Sequence, residues 1–165
     1  MSNQPINFAS YPSLKGKSIF ITGGGGGIGE SLVRHFCAQA SHVAFVDIAE
    51  EPSRKLVDAI AADGDRPPLF IPCDIRDIEA LKAAVAEAAE QSGPIQVLCN
   101  NAGSDDRHQT EDVTVAYWDD RMAVNLRHQF FAAQTVRPYM KALGGGSIIN
   151  FGSITWMVGD PDCPA

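Results

Sequence analysis

The sequence predicts an α/β fold, a doubly wound parallel sheet with helices on both faces in three layers (αβα). Two observations carry this expectation. Short β-rich runs alternate with amphipathic segments of helical length, the pattern of successive βαβ units. A glycine cluster stands between the first such run and the segment after it. The 165 residues are enough for one domain with its own core, read as 1–165, and too few for two.

The elements follow in order. Ser18-Ile19-Phe20-Ile21 forms the first strand, and Ile28, Leu32, Val33 and Phe36 then recur at helical spacing. His42 to Val46 is a second strand ending at Asp47. Glu51 to Asp63 forms a helix with Leu56, Val57 and Ile60 inward. Leu69-Phe70-Ile71 is a short third strand. Ile78, Leu81, Val85 and Ala88 mark an amphipathic helix closed by Gly93-Pro94. Ile95 to Cys99 is the fourth strand, and a loop from Gly103 to about Thr114 leads into a long helical region from Tyr117 to Leu143. Gly144-Gly145-Gly146 ends it, Ser147 to Phe151 is the fifth strand, and Gly159 to Ala165 is turn-like. A fifth strand left at the sheet edge exposes main-chain groups that seek a partner. The sequence is therefore expected to be the N-terminal portion of a longer domain, with its C-terminal strands and helices missing.

Composition narrows the function. Apolar residues make up 45% and charged residues 20%, as in ordinary globular domains. The net charge of −7 argues against nucleic acid, which needs a basic face; the acidity is assigned to solvated helix surfaces. Cys37, Cys73, Cys99 and Cys163 form no C-x-x-C pair and have no His at ligand spacing, so we expect no metal and reduced thiols in a cytoplasmic protein. Residues 1–10 do not read as a signal peptide, and no apolar stretch approaches the ~20 residues of a membrane span. No membrane partner is expected.

The glycine string Thr22-Gly23-Gly24-Gly25-Gly26-Gly27-Ile28-Gly29 lies between a strand and its helix. That is where a dinucleotide pyrophosphate needs a tight turn, close backbone approach and a helix N-terminus. Thr22, Gly23, Gly27, Ile28 and Gly29 are the candidate cofactor residues. A flexible loop is the alternative, and the strand–helix context weighs against it. Asp47 ends the second strand twenty positions after Gly27. A carboxylate there accepts the adenosine ribose hydroxyls and repels a 2′-phosphate, which favours NAD over NADP. Its alternative role is to cap the following helix.

The glycine string resembles the Thr-Gly-x-x-x-Gly-x-Gly motif of the short-chain dehydrogenases/reductases. Further matches fall in that family's order: Cys73-Asp74-Ile75, Asn100-Asn101-Ala102-Gly103, Asn125 within Ala123-Val124-Asn125-Leu126, and Ser153 within Asn150-Phe151-Gly152-Ser153. The resemblance implies a Rossmann-type domain with Asp74, Ile75, Asn101, Ala102 and Gly103 at the cofactor and with Ser153 and Asn125 in catalysis. Each has a plainer reading alone: Asn125 a buried helix kink, Ser153 a strand-end turn, Asn101 a structural cap. A closer similarity, to the sugar 1-dehydrogenases of the family, rests on Tyr11 to Lys17, Asp105-Asp106-Arg107-His108, Tyr117-Trp118-Asp119, Asn125 to His128 and Asn150 to Trp156.

The family chemistry implied is hydride transfer to nicotinamide with a tyrosine as base. A lysine four residues later lowers the phenol's pKa from ~10. A serine hydrogen-bonds the reacting oxygen, and the helix asparagine holds a water that links the lysine to solvent. Tyr11 and Lys15 match the Tyr-x-x-x-Lys spacing, but they precede the first strand and enclose Pro12. Tyr117 is followed at that spacing by Arg121, and Tyr139 by Leu143. The 165-residue chain alone is thus expected to be an inactive fragment of an active parent. The implied reaction is oxidation of the C1 hydroxyl of an aldose, such as D-xylose, to a lactone. The alternatives are another alcohol or ketone substrate, or a fragment that only binds NAD. Asp105, Asp106 and His108 are candidates for sugar hydroxyls, or else a solvated loop tip. Trp156 is a candidate for an apolar sugar face, or else loop packing. His35, His42 and His128 read as surface or helix-packing residues. The complete protein is expected to be a homotetramer or homodimer.

Overall fold

The computed structural model describes residues 9–158, except the side chains of Thr155 and Trp156. The predicted turn at 159–165, with Cys163, lies outside the described residues. Strands β1 (Ser18–Thr22), β2 (His42–Asp47), β3 (Leu69–Pro72), β4 (Val97–Asn100) and β5 (Ser147–Asn150) form one sheet in the order β3-β2-β1-β4-β5. Every pairing is parallel. The helices are α1 (Gly27–Ala38), α2 (Glu50–Ala62), α3 (Ile78–Ser92), α4 (Val115–Met122), α5 (His128–Ala142) and the single turn α6 (Thr155–Val158).

The alternation of side chains along each strand explains the three layers. Ile19 and Ile21 of β1 and Val43 and Phe45 of β2 pack with Val33 and Cys37 of α1 and Leu56 and Ile60 of α2. Phe20, Ala44 and Val46 point the other way, toward Leu81 and Val85 of α3 and Ala132 and Val136 of α5. Strands buried on both faces read as unbroken apolar runs, and the sequence has this form at β1 and β2. Helix boundaries follow local chemistry as well. Asp77 caps α3 by accepting from the Ala80 amide at 3.0 Å, and Thr114 caps α4 by accepting from the Tyr117 amide at 3.1 Å.

Two boundaries differ from expectation. Ile95 precedes β4 yet is completely buried, so the apolar run marks core entry and not only strand. The long helical region starts two residues earlier, at Val115, and consists of α4, a π-helical turn at Ala123–Arg127 and α5. A π turn lasts a single turn, too short for its own period to be read from residue spacing.

Among the described residues β5 is the last strand on its side of the sheet, with Ile148 and Ile149 exposed at 43% and 44%. Cys37, Cys73 and Cys99 are free and buried. Burial pushes the Cys37 thiol up to about 12, with the Asp65 charge adding to it. Burial likewise raises Cys99 to about 11, and raises Cys73 to about 11 with help from Asp74 and Asp77. Such thiols stay protonated and unreactive near neutrality.

His128 opens α5 and is completely buried, without a well-formed hydrogen bond from either ring nitrogen. Burial pushes its pKa down to about 4, against an opposing pull from the Val124 and Ala123 carbonyls. The unfolded chain binds this proton near pH 6.5 and the native chain does not, so stability falls as pH drops from 6.5 toward 4. The expected loss from this group is about 2 kcal/mol by pH 5. Urea titrations at pH 7 and pH 5 check it: His128→Leu is expected to lose less between the two pH values than wild type. Equal losses in both proteins would refute the assignment.

Candidate active site

The chain leaves β1 for β2 on one side and returns from β3 to β4 on the other. The carboxyl ends of β1 and β4 therefore diverge into a crevice, the usual ligand position in open α/β sheets. A cleft of about 660 Å³ opens there, lined among others by Gly26, Asp47, Asp74, Ala102 and Gly103.

Its floor is tied together by backbone-directed hydrogen bonds. Thr22 is fully buried and its Oγ1 accepts from the amides of Asn101 and Ala102, both at 3.1 Å. Asn101 Nδ2 donates to the Gly23 carbonyl at 2.9 Å and to the Thr22 carbonyl at 3.2 Å. The Gly23 amide donates to the Val46 carbonyl at 2.8 Å. Thr22 and Asn101 thus hold the glycine turn against β4.

The glycines divide by what surrounds them. Gly23 turns with φ +68°, and a Cβ there would meet Ala102 at 2.8 Å. A Cβ on Gly29 would fall inside the Gly23 carbonyl oxygen and 2.7 Å from Asn101 Nδ2. Gly26 and Gly27 meet nothing within 4 Å. Gly26 also precedes α1 without any side chain to cap the first amides. These features fit a pyrophosphate: close packing behind the turn, open space in front, and helix amides left for an anion. Ile28, exposed at 63%, lies on the outer side of the turn.

Asp47 occupies the adjoining wall. Its Oδ2 accepts from the Gly25 amide and its Oδ1 from the Ala49 amide, each at 2.8 Å. Both oxygens keep lone pairs for a further donor. Asp47 therefore orients the turn, and the start of α2 lies within its reach.

Asp74 lines the cleft beside Ile75, and its carboxylate is gripped by Arg76, with Nε at 3.0 Å and Nη2 at 2.6 Å. Arg76 Nη1 also reaches Asp120 Oδ1 on α4 at 3.0 Å. Hydrogen bonding to Arg76 holds the Asp74 carboxyl below its ordinary range, and Arg121, then Arg76, do the same for Asp120. Arg121 further donates from Nη1 to Ser104 Oγ at 2.9 Å. The sequence reading missed Arg76, Ser104, Asp120 and Arg121. The Asp-x-Arg spacing at 74–76 was a visible signal for the first; the others meet across distant segments.

Asn125 sits in the π turn, where its side chain clasps the backbone of Ser104. Oδ1 accepts from the Ser104 amide at 2.8 Å, and Nδ2 donates to the Ser104 carbonyl at 3.0 Å. Asn125 is half-buried there, not buried as its plainer reading had it. Ser153 is exposed, three residues past the end of β5. In the loop after β4, Asp105 pairs with Arg107 at 3.6 Å, while Tyr117 Oη lies 2.6 Å from His108 Nδ1 and 3.2 Å from Asp106 Oδ2. Arg121 lies over the Tyr117 ring, 5.3 Å from its centroid. Trp156 has no described side chain. Tyr11 and Lys15 flank a short turn ahead of β1, at the amino edge of the sheet and away from the cleft.

A family model for short chain dehydrogenases matches residues 17–165. The chain belongs to this family. It is 53% identical over 157 residues to the D-xylose 1-dehydrogenase of Caulobacter vibrioides, covering 95% of this chain and 61% of that protein. It is 46% identical to the "Probable galactose dehydrogenase GalD" of Rhizobium meliloti, with the same coverage. A dehydrogenase/reductase structure from Sinorhizobium meliloti 1021 superposes with a TM-score of 0.83 at 32% identity, covering 91% of this chain and 59% of that one. The chain spans about three fifths of the length of the curated relatives it matches. Short-chain dehydrogenases use nicotinamide cofactors, which agrees with the cleft described above. No helix of the described residues is long and apolar enough to cross a membrane, and none of their His, Cys, Asp and Glu side chains cluster as a metal site.

Proposed function

We propose that the complete protein is an NAD-dependent sugar 1-dehydrogenase, oxidising the C1 hydroxyl of an aldopyranose such as D-xylose to the lactone. The observation that carries this reading is the 53% identity to a D-xylose 1-dehydrogenase across 95% of the chain. The galactose-dehydrogenase relative at 46% supports the same substrate class. Asp47, already oriented by the Gly25 and Ala49 amides, supports NAD as the cofactor.

Bound NAD supplies the hydride acceptor. The residues of this chain bind and orient around it. The glycine turn and the start of α1 hold the pyrophosphate, Asp47 the adenosine ribose, and Asp74 with Ile75 the adenine side. Ser153 hydrogen-bonds the oxygen that changes from hydroxyl to carbonyl. Asn125 orders water beside the site. Asp105, Asp106, His108 and Trp156 are assigned to the sugar side, with His108 held by Tyr117. The family's tyrosine–lysine pair is not among these 165 residues, so the segment alone is proposed to bind NAD without turnover. The complete protein is proposed to work in the cytoplasm as a homotetramer or homodimer.

The test is NADH formation by the complete protein with pentoses, hexoses and apolar alcohols. Turnover of D-xylose or another aldose is expected. Activity confined to apolar alcohols would overturn the sugar assignment, and equal rates with NADP would overturn the cofactor assignment.

A further inference from the structure

Gln129 lies one helical turn beyond Asn125, just after the π turn. Its side-chain nitrogen is 3.0 Å from the Asn125 carbonyl and 3.3 Å from the Phe151 carbonyl. An amide nitrogen carries two hydrogens, so one donor group serves both acceptors. The two carbonyls belong to different elements. One sits in the π turn, where regular helix pairing is disturbed. The other follows β5, two residues before Ser153.

The surrounding bonds run through the same residue. Asn100 Nδ2, fully buried at the end of β4, donates to the Gln129 carbonyl at 3.3 Å and to Asn150 Oδ1 at 2.8 Å. The Phe151 amide donates to the Asn100 carbonyl at 2.9 Å, and there the β4–β5 ladder ends. Among the described residues β5 pairs with β4, in register from Val97 with Ser147 to Asn100 with Asn150. Polar ties therefore join the segment leading to Ser153 to both β4 and α5.

We infer that Gln129 is a positioning residue of the active site: its side-chain amide fixes the Asn125 carbonyl against the strand end that presents Ser153. This rests on the reading of Ser153 and Asn125 as active-site residues given above. Gln129 does not touch the substrate in this account. It sets the spacing between the serine and the helix asparagine, and small errors in such spacing cost rate more than binding.

Two substitutions in the complete protein test it. Gln129→Leu keeps the bulk and removes both donors. Its kcat is expected to fall about 10- to 100-fold, with NAD affinity within about twofold of wild type. Gln129→Glu keeps the length but presents a carboxylate to two carbonyls, and it regains a donor only when protonated. The ratio of its kcat to wild type is therefore expected to rise as pH falls toward 5. Amide hydrogen exchange supplies a readout independent of turnover. Residues 151–154 are expected to exchange about tenfold faster in Gln129→Leu, while β1 and β2 are unchanged. A kcat within twofold of wild type for Gln129→Leu, a parallel loss of NAD binding, or a flat ratio for Gln129→Glu would overturn the inference. If wild type turns over no sugar or alcohol, the proposed function fails; the tie is then decided by exchange, and unchanged protection at 151–154 overturns it.

Discussion

Gly29→Ala is expected to cost the fold about 3 kcal/mol or more and to abolish measurable NAD binding. The added carbon has no free direction. It would overlap the Gly23 carbonyl oxygen and lie 2.8 Å from the Gly23 carbonyl carbon and 2.7 Å from Asn101 Nδ2. None of these is the loose end of a flexible side chain. The Gly23 carbonyl is held by Asn101 at 2.9 Å, and the Gly23 amide is held by Val46 at 2.8 Å. Relief requires α1 to lift from the turn, which separates Val33 and Cys37 from the sheet they pack on. Gly26→Ala is the internal control. Its site has extended backbone at φ −165° and no neighbour within 4 Å, so stability should stay within about 1 kcal/mol of wild type. Its methyl enters the cleft, so NAD affinity should still fall. Urea unfolding and NADH fluorescence titration of both variants check the pair. A Gly29→Ala protein with wild-type stability would refute the packing argument.

That contrast shows what the sequence could convey. Strand–helix alternation and the β-rich runs at 18–21 and 42–46 were sufficient for the parallel sheet, because strands buried on both faces leave a strong local signal. The place of the glycine turn at the carboxyl end of β1 was legible, but not the division of labour within it. Gly29 and Gly26 look alike as letters, and only the fold brings Asn101 and Gly23 against one of them. Asp47 was legible for a similar reason, since it ends a strand at a fixed distance from the turn. The ion pair of Arg76 with Asp120 was not, because it joins residues 44 positions apart. The contact of Tyr117 with His108 depends on the path of a loop that has no periodicity. The π turn escaped because it spans only five residues, too few to show a period of their own, although Asn125 had been given a kink as its structural role. Gln129 escaped with it, since its partner beyond β5 is 22 positions away.

Replacing Asp47 with Ser and Ile48 with Arg is expected to move the preference between NAD and NADP by about a thousandfold or more. Two effects add. The wild-type carboxylate lies on the cleft wall, oriented by two backbone amides, and a 2′-phosphate placed beside it would meet a like charge. At about 5 Å and an effective dielectric of about 20, that repulsion is on the order of 3 kcal/mol, roughly a hundredfold in affinity. Ile48 is the adjoining residue, 71% exposed and on the same wall, so an arginine there can reach the phosphate without displacing core. The substitution also has a structural component with a separate signature. Asp47 accepts from Gly25 and Ala49, so Asp47→Ser alone should loosen the glycine turn and weaken both dinucleotides, while the added arginine restores only NADP. Dissociation constants for NADH and NADPH, measured on wild type, Asp47→Ser and the double variant, separate charge from geometry. If wild type binds both dinucleotides equally, Asp47 does not select the cofactor. If the double variant weakens NADH and NADPH by the same factor, the carboxylate acts only by holding the turn, and the preference for NAD must be sought elsewhere in the cleft.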